Sequence, residues 1–587
     1  MINKYFYNLS ITIVGIVTTI FILTTVGGLF HIPVNPFYVL IPFIGGGYYL
    51  KKQSPENIDF LKQLLILIII IMVSYILSIS VWDTSWDGRW YHTAIIILLK
   101  KGWLPVHQNF LEYTAICHIH PESPLWGSYY PKFVETVGAN IYNITNLIES
   151  AKSVNLIILS AVYMYSFAVL REFKPQNKFI PLILSFIIVL NPVCICQWFT
   201  NFIDLQVYFA FALLVLTILK TESCKKADKT DLFTFVCSSL MLAMTKFTGC
   251  MYLFIICFLY FIYLLLLKRE VKKYIKTVLI IGGLIAITGV NPFYTNLRDY
   301  GQPFYPIFGE QVKNILNSNM PYGFEKMSTV ERFLRSNFSE SVHSRSNASD
   351  STKSFKILQV PVKLKIPFTM NIKHFNNFFY CADITIGGLG YFWSGILLCS
   401  LFYLPFIRFR NKNERNIFWL VTVMILASTF SNPHCWWARY VPQFWLFPIF
   451  VLFFGLLQEN YQNKSSKILK LMFCYFVIFS FIVNSSIVLF QNTQFSLYFT
   501  KLLKEPYDYI DFVKKPQDKI YLMVKTEPED LVADETIIPH LEEYYGKESI
   551  IYVPYDENKI KSEEFIPIQY ANVINQSCYF FKTEQGK

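Results

Sequence analysis

The stretch of sequence that decides the fold is LKQLLILIIIIMVSYILSISVWDTSWDGRWYH, residues 61–92. Its first part, residues 61–82, is an apolar run long enough to cross a bilayer as a helix, which takes about 20 residues. Two carboxylates, Asp83 and Asp87, follow the run directly. If the helix continues outward, Asp83, Asp87 and Tyr91 share one of its faces. The stretch therefore predicts a membrane protein with acidic chemistry at a membrane surface.

The composition of the whole chain also indicates an integral membrane protein. Of its 587 residues, 53% are hydrophobic and only 16% are charged, and the mean hydropathy is +0.38. Together the apolar runs predict a mainly α fold, a polytopic transmembrane helical bundle of about thirteen spans. The runs lie near residues 9–30, 35–50, 61–82, 153–170, 179–195, 203–219, 232–248, 250–267, 277–292, 386–407, 416–431, 440–457 and 468–492.

The positions of the basic residues predict the orientation of the chain. Lysines and arginines cluster in alternate loops, which the positive-inside rule places in the cytoplasm. These loops are residues 51–62, 171–178, 220–229, 268–276 and 408–415. The N-terminus is then inside, and the long loops 83–150 and 291–386 face outward. Because the net charge of +12 is divided among short clusters, we expect no nucleic-acid partner.

The hydropathy falls beyond about residue 493. We therefore predict a transmembrane domain at residues 1–492 and a small extracytoplasmic α/β domain at residues 493–587. Strands are expected in the second domain near 519–525 and 550–554, with a helix near 539–545.

One motif carries a family resemblance. Asp87, Tyr91 and His92 form an Asp-x-x-x-Tyr-His arrangement at the far end of a span, where a short apolar helix begins. This arrangement resembles the first-loop motif of the GT-C superfamily of glycosyltransferases, multispanning enzymes that use polyprenyl-phosphate-linked sugars. Residues 291–306 and 436–443 also look like segments of bacterial members, and the likeness in architecture covers most of residues 60–460.

The resemblance implies a function and a location. It implies an inverting glycosyltransferase in the cell (inner) membrane, with its active site on the extracytoplasmic face. Such an enzyme moves a sugar from a polyprenyl-phosphate carrier to a cell-surface glycan, lipid or protein acceptor. By resemblance, Asp87 is the catalytic base that takes the proton of the acceptor hydroxyl.

The role of the other acid, Asp83, is left open by the sequence. It either orients the acceptor or helps to bind a divalent cation such as Mg²⁺ or Mn²⁺ through its oxygens. A bland alternative is that Asp83 and Asp87 only solvate the end of a helix. No Cys/His pattern typical of a metal cage occurs in the chain.

Arg439 is the leading candidate for contact with the lipid phosphate. It lies between two apolar spans, close to Trp436, Trp437 and Tyr440, and a guanidinium can hold a phosphate bidentately. The alternative is an arginine that reaches the membrane surface within an aromatic belt. Further candidates for substrate contacts, each with a purely structural alternative, are Tyr91, His92, Lys132, Asp204, Lys246, Arg298, His434 and Tyr440, and more weakly His118, His120 and Glu122.

Two other functions fit a chain of this class. One is a transporter or flippase of a lipid-linked sugar, although transporters usually carry their ionisable residues near the middle of the membrane. The other is a polymerase or ligase that moves a whole lipid-linked oligosaccharide. The acids at the membrane edge and the long outer loops favour catalysis over transport, and the early acidic motif argues against the polymerase or ligase.

Overall fold

The structure of the protein is a computed structural model. It describes residues 2–85, 87–110, 123–174, 178–224, 228–267, 271–309, 320–321, 323–343, 362–376, 379–382, 384–457, 464–513, 519–524, 543–545, 547–553, 566–568 and 579–583.

Helices make up most of the described chain. The α-helices are α1 (Ile2–Leu29), α2 (Phe37–Gln53), α3 (Asn57–Ser80), α4 (Thr93–Lys100), α5 (Ser123–Tyr129), α6 (Phe133–Thr145), α7 (Ser153–Phe173), α8 (Phe179–Val189), α9 (Pro192–Ile195), α10 (Asp204–Cys224), α11 (Lys229–Thr245), α12 (Phe247–Leu266), α13 (Lys272–Thr288), α14 (Thr295–Tyr300), α15 (Thr329–Asn337), α16 (Ile372–Asn376), α17 (Trp393–Tyr403), α18 (Lys412–Phe430), α19 (Leu446–Leu457) and α20 (Lys464–Val513). Short π-helices lie at Gly88–His92 and Val290–Tyr294, and a 3-10 turn lies at Ala438–Tyr440.

Several long apolar helices support a multi-pass membrane protein. Within the described residues, six helices are long and apolar enough to cross a membrane, or seven if α13 and the bent segment Val290–Tyr300 form one crossing. The predicted number of about thirteen counts several runs that fall short of a straight crossing. For example, α2, α11 and α13 each have 17 residues, and α2 contains Pro42.

One end of the bundle, here called the basic end, is held together by polar side chains. Lys220, in the last turns of α10, donates to the Tyr7 hydroxyl of α1 and to Asp231 of α11, both at 2.6 Å. Asn413 of α18 donates to the backbone carbonyl of Glu222 in α10. The starts of α1, α11 and α18 therefore meet the end of α10, where basic residues predict a cytoplasmic surface.

The opposite end, here called the site end, collects the other termini of the same helices. The backbone N–H of Asn201, just before α10, donates to Asp83, just after α3. Lys246, between α11 and α12, donates to Asp204 at the start of α10. The helix ends therefore group as the alternation of basic loops predicts.

The expectation that α3 continues through the acidic motif is wrong. The helix ends at Ser80, and residues 81–85 are not helical. Asp83 accepts hydrogen bonds from the backbone N–H and the hydroxyl of Ser85. Because Asp and Ser side chains offer the backbone such local bonds, they compete with helix continuation. Asp83 and Asp87 consequently do not share a helix face.

The strands form two small sheets. In the C-terminal part, β3 (Ile520–Val524) pairs with β4 (Ile550–Val553) in parallel and with β6 (Tyr579–Thr583) antiparallel, and β6 pairs with β5 (Ile566–Ile568). β3 and β4 coincide with the two predicted strands. The predicted boundary after residue 492 falls inside α20, which continues to Val513. Earlier in the chain, β1 (Val342–His343) pairs with β2 (Ile384–Ile386).

A close approach of α11 and α12 positions Lys246. This residue is the only one between the two helices, and its backbone is extended. The N–H of Gly249 donates to the Lys246 carbonyl at 2.8 Å. A Cβ atom on Gly249 would lie 1.9 Å from the carbonyl oxygen of Leu242, so only glycine allows this packing.

Replacing Gly249 by alanine should therefore destabilise the protein. We expect the G249A substitution to lower the free energy of unfolding by about 1–3 kcal/mol, because the backbone of α11 must move to admit the methyl group. Thermal unfolding of the purified protein in detergent measures the change. Gly282 is the matched control: it lies inside α13 with no atom near its Cβ position, so G282A should raise stability by up to about 1 kcal/mol. Equal midpoints of thermal unfolding for the G249A and G282A proteins would contradict the close packing of Gly249 against Leu242.

Candidate functional site

Four charged side chains from distant parts of the sequence meet at the site end. They are Asp87, which precedes the π-helix Gly88–His92, Asp204 at the start of α10, Lys246 between α11 and α12, and Arg439 in the Ala438–Tyr440 turn. All four were predicted from the sequence as site residues. We call this group the charge cluster.

Asp204 connects the two cations of the cluster. It is only 1% exposed, and its two oxygens are divided between the cations. Oδ1 lies 2.5 Å from Lys246 Nζ, and Oδ2 lies 3.2 Å from Arg439 Nε. Gln197 also donates to Oδ2 at 3.2 Å. A buried carboxylate needs such compensation, so Asp204 and the two cations stabilise one another.

Arg439 bridges the two acids and retains unused hydrogen-bonding capacity. Its Nη2 donates to Asp87 Oδ2 at 2.6 Å. Its Nε, although near Asp204, makes no aligned hydrogen bond within the described residues. Burial lowers the pKa of Arg439, but the charges of Asp87 and Asp204 outweigh burial and raise the pKa above its ordinary value. The guanidinium is therefore a permanent cation with free donors.

Aromatic rings surround the cations. The guanidinium carbon of Arg439 lies 4.5 Å from the centre of the Phe202 ring and 4.9 Å from that of Trp437. The ammonium of Lys246 lies 4.6 Å from the centre of the Tyr440 ring. Cation–π contacts of this kind hold a cation in place without neutralising it. The Tyr440 ring thus lines the site beside Lys246.

Asp87 is the most accessible acid of the cluster. Its side chain is 19% exposed, whereas that of Asp204 is 2% exposed. Within the described residues its hydrogen bond to Arg439 engages Oδ2 and leaves Oδ1 open. Tyr91 stands close by, and burial, followed by the charge of Asp87, raises the pKa of its phenol. Tyr91 is therefore a neutral hydroxyl beside the most accessible carboxylate.

Asp83 lies outside the charge cluster, beneath the loop that carries Asp87. It is 3% exposed. Its Oδ2 accepts the Asn201 N–H at 2.6 Å, and its Oδ1 accepts both donors of Ser85. A Cβ atom on Gly88 would lie 2.4 Å from Oδ2, so the chain passes directly over this carboxylate. Asp83 fixes the loop that carries Asp87 to the loop that leads into Asp204.

His92 is buried against Glu135 of α6. Its Nδ1 lies 2.5 Å from Glu135 Oε1 of α6, and both side chains are at most 3% exposed. Within the described residues, His92 Nε2 and Glu135 Oε2 make no hydrogen bond. Sequence reasoning missed Glu135. The signal in the sequence was that Glu135 is the single acid among the apolar residues of α6.

Lys132 is also buried and fully engaged. Its ammonium donates to the carbonyls of Ser128 and Tyr130 and to Asn291 Oδ1. Burial lowers its pKa to about 7. Lys132 therefore joins the first outer loop to the π-helix Val290–Tyr294. It also lines a mainly apolar groove of about 610 Å³, open solvent included, between α1, the segment after α4 and α13.

The remaining predicted residues lie apart from the cluster. Arg298 is 55% exposed in its side chain and pairs with its neighbour Asp299. His434 is half-buried, with its ring centre 6.4 Å from that of Tyr440, and burial and the charge of Arg332 lower its pKa. His118, His120 and Glu122 lie outside the described residues.

The donor set of the cluster does not fit a divalent cation. Among the described residues, no group of three His, Cys, Asp or Glu side chains is placed to hold a metal ion. Both oxygens of Asp83 already accept protein hydrogen bonds, and Asp87 and Asp204 both face Arg439. We therefore derive no step through a metal.

Loss of the Asp83 carboxylate should affect stability first. We expect the D83N substitution to lower the free energy of unfolding by about 1–3 kcal/mol, because an amide N–H₂ would face backbone donors in a buried position. Thermal unfolding in detergent measures this change. D299N is the matched control, since Asp299 is exposed and should tolerate the same replacement within about 0.5 kcal/mol. If the D83N and D299N proteins had the same midpoint of thermal unfolding, the role assigned to Asp83 would be contradicted.

Comparisons of the chain with protein-family models, curated proteins and solved structures found no match.

Proposed function

We propose that the protein is an integral-membrane glycosyltransferase that moves a sugar from a polyprenyl-phosphate carrier to a glycan, lipid or protein acceptor on the extracytoplasmic face. The observation that carries the proposal is the charge cluster. It combines an accessible carboxylate, Asp87, with two cations, Lys246 and Arg439, at one end of a membrane bundle. The reaction needs a base for the acceptor and positive charge for the leaving phosphate.

In the proposed reaction, the acceptor hydroxyl oxygen attacks the anomeric carbon of the sugar. The bond between that carbon and the phosphate oxygen breaks, and Asp87 takes the hydroxyl proton. The lipid phosphate leaves with both electrons of the broken bond and is stabilised by Arg439 and Lys246. A single displacement of this kind inverts the configuration at the anomeric carbon.

The pairing of Asp87 with Arg439 is compatible with this role. A lipid phosphate that approaches the Nη2 side of Arg439 competes with Asp87 for the guanidinium. Binding of the donor would then release Asp87 to accept the acceptor proton. Asp204 keeps its contacts to both cations during this exchange, which makes it a positioning residue.

The groove beside Lys132 supports a lipid-linked donor. Its walls include Phe21 and Leu29 of α1, Leu99 of α4 and Ile287 of α13. Met244 also lines the groove and is two residues from Lys246. An apolar groove that approaches the cations would take the lipid tail while the phosphate meets the charge cluster.

The proposal includes a topology. We propose that the site end is extracytoplasmic. About thirteen segments cross the membrane, and several of them are short or bent. The chain after α20 forms a small extracytoplasmic α/β domain.

Replacement of Asp87 by asparagine should abolish sugar transfer. The amide cannot accept the proton, so we expect the rate to fall by at least about 100-fold. The assay follows transfer from a panel of polyprenyl-phosphate-linked hexoses and pentoses by mass spectrometry of the products. D299N removes an exposed acid in α14, outside the charge cluster, and should retain activity. Full activity of the D87N protein would remove Asp87 from the mechanism.

The product mass also separates the alternative functions. A single added hexose or pentose supports the proposal, whereas a multi-sugar block supports a polymerase or ligase. Movement of a labelled lipid-linked sugar across vesicles without any new glycosidic product supports a transporter or flippase.

A second experiment tests the orientation. Arg298 lies in the predicted outer loop, and Lys412 lies at the basic end; both positions are exposed. We expect a membrane-impermeant maleimide to label R298C but not K412C in intact cells, because the two positions lie on opposite sides. Both should be labelled once the membrane is permeabilised. Labelling of K412C alone in intact cells would overturn the orientation.

A further inference from the structure

A cavity with several polar side chains in its lining lies in the long loop that precedes α17, apart from the charge cluster. Its empty volume is about 450 Å³, open solvent included. The residues around it include Glu340, Ser341, Lys365, Thr369, Asn371 and Tyr391. Almost all of them carry hydrogen-bonding groups in their side chains, unlike the apolar groove beside Lys132.

Two paired segments of backbone hold the cavity's charged residues in place. The N–H of Glu340 donates to the carbonyl of Lys363, and the N–H of Lys365 donates to the carbonyl of Phe338, each at 2.9 Å. Glu340 and Lys365 thus stand on neighbouring extended segments. Within the described residues, no ion pair of 4 Å or less joins the two side chains, although both line the cavity.

Lys365 and Glu340 both have unused hydrogen-bonding capacity. Within the described residues, Lys365 Nζ donates only to the Tyr391 carbonyl, so two of its three N–H donors are free. Glu340 Oε1 receives one long bond of 3.4 Å from Asn371, and its Oε2 receives none from the described residues. Burial lowers the pKa of Lys365 to about 8, and the charge of Glu340 opposes this shift.

The charges of the lining disfavour ligands that carry a single net charge. The cavity carries one positive and one negative group, so a phosphate is repelled by Glu340 and an ammonium by Lys365. A neutral molecule with several hydroxyl groups can donate to the carboxylate and accept from the ammonium in the same pose. A sugar ring has hydroxyl groups of both roles around its edge.

We propose that this cavity is a binding subsite for a neutral sugar. In the framework of the proposed function, on which this assignment rests, the cavity holds a unit of the acceptor glycan at a distance from the reacting hydroxyl. Ser341, in the cavity wall, donates to the carbonyl of Gly387, and the next residue, Gly388, shares a small cavity with Arg439. The Gly387–Gly388 turn thus lies between the subsite and the charge cluster.

Protection of Lys365 from acetylation tests the subsite directly. The purified full chain in detergent is treated with N-hydroxysuccinimidyl acetate, and modification of each lysine is measured by mass spectrometry. We expect Lys365 to react with a midpoint near pH 8, in line with its pKa. Methyl glycosides of glucose, galactose, mannose and N-acetylglucosamine are the probes. At least one should slow modification of Lys365 several-fold and leave Lys363, which is exposed on the same segment, unchanged.

Inorganic phosphate and tetramethylammonium serve as charged comparison probes. Protection of Lys365 by phosphate but by no glycoside would overturn the proposal in favour of an anion site. Protection by tetramethylammonium alone, or by no probe at all, would also overturn it. These measurements use the wild-type protein, so they do not depend on whether a variant folds.

Two substitutions test the link to transfer. We expect K365M and E340Q each to raise the acceptor KM about tenfold, as loss of one hydrogen bond to a charged group does, with little change in kcat. K363M and E325Q, which replace exposed residues outside the cavity, are the matched controls and should behave like the wild type. Unchanged KM values for K365M and E340Q would overturn the acceptor assignment. Sugar protection without any transfer activity would contradict the proposed function and leave sugar binding intact.

Discussion

The charge cluster depends on one buried carboxylate. Asp204 begins α10 at 1% exposure, and such a charge is tolerated only when other charges and donors compensate for it. Its partners come from the α11–α12 connection and from the turn before α19, which are far apart in sequence. Removing either cation would leave a buried negative charge, and removing Asp204 would leave two cations close together. The ends of α10, α11 and α12 and the Arg439 turn are therefore coupled through a single side chain.

That coupling gives the proposed chemistry a fixed frame and one adjustable contact. Lys246 and Arg439 are held by Asp204 and by the surrounding rings, so they do not have to reorganise when negative charge develops. The contact between Arg439 and Asp87 is different because Asp87 is partly exposed. An anion that enters from solvent can compete for that contact and leave the buried pair undisturbed. A rigid pair of cations beside a replaceable carboxylate is the arrangement that phosphate departure and proton uptake both require.

The sequence predicted the charged residues of the cluster better than their local geometry. Asp87, Asp204, Lys246 and Arg439 could be selected because each is a charged residue at the edge of an apolar run, where an unpaired charge is costly. The alternation of basic loops predicted that their helix termini meet at one end. The partners within the cluster could not be predicted, since they depend on how α3, α10 and α11 pack. Asp83 was misplaced for a local reason: its bonds to Ser85 end the helix that would have aligned it with Asp87.

A comparison of the two ends of the bundle explains why the site end is the functional candidate. The basic end also contains a buried cation, Lys220, between helices. However, Lys220 donates to Tyr7 and Asp231, and Tyr7 in turn donates to the same carboxylate, so the group is closed. At the site end, Arg439 keeps an unaligned Nε, and Asp87 keeps an oxygen without a partner in the described part of the chain. Since buried polar groups are normally satisfied, an unaligned donor beside an open acceptor makes the charge cluster the better candidate for a binding site. Within the described residues, the Lys220 group and the charge cluster therefore differ in unsatisfied hydrogen bonds.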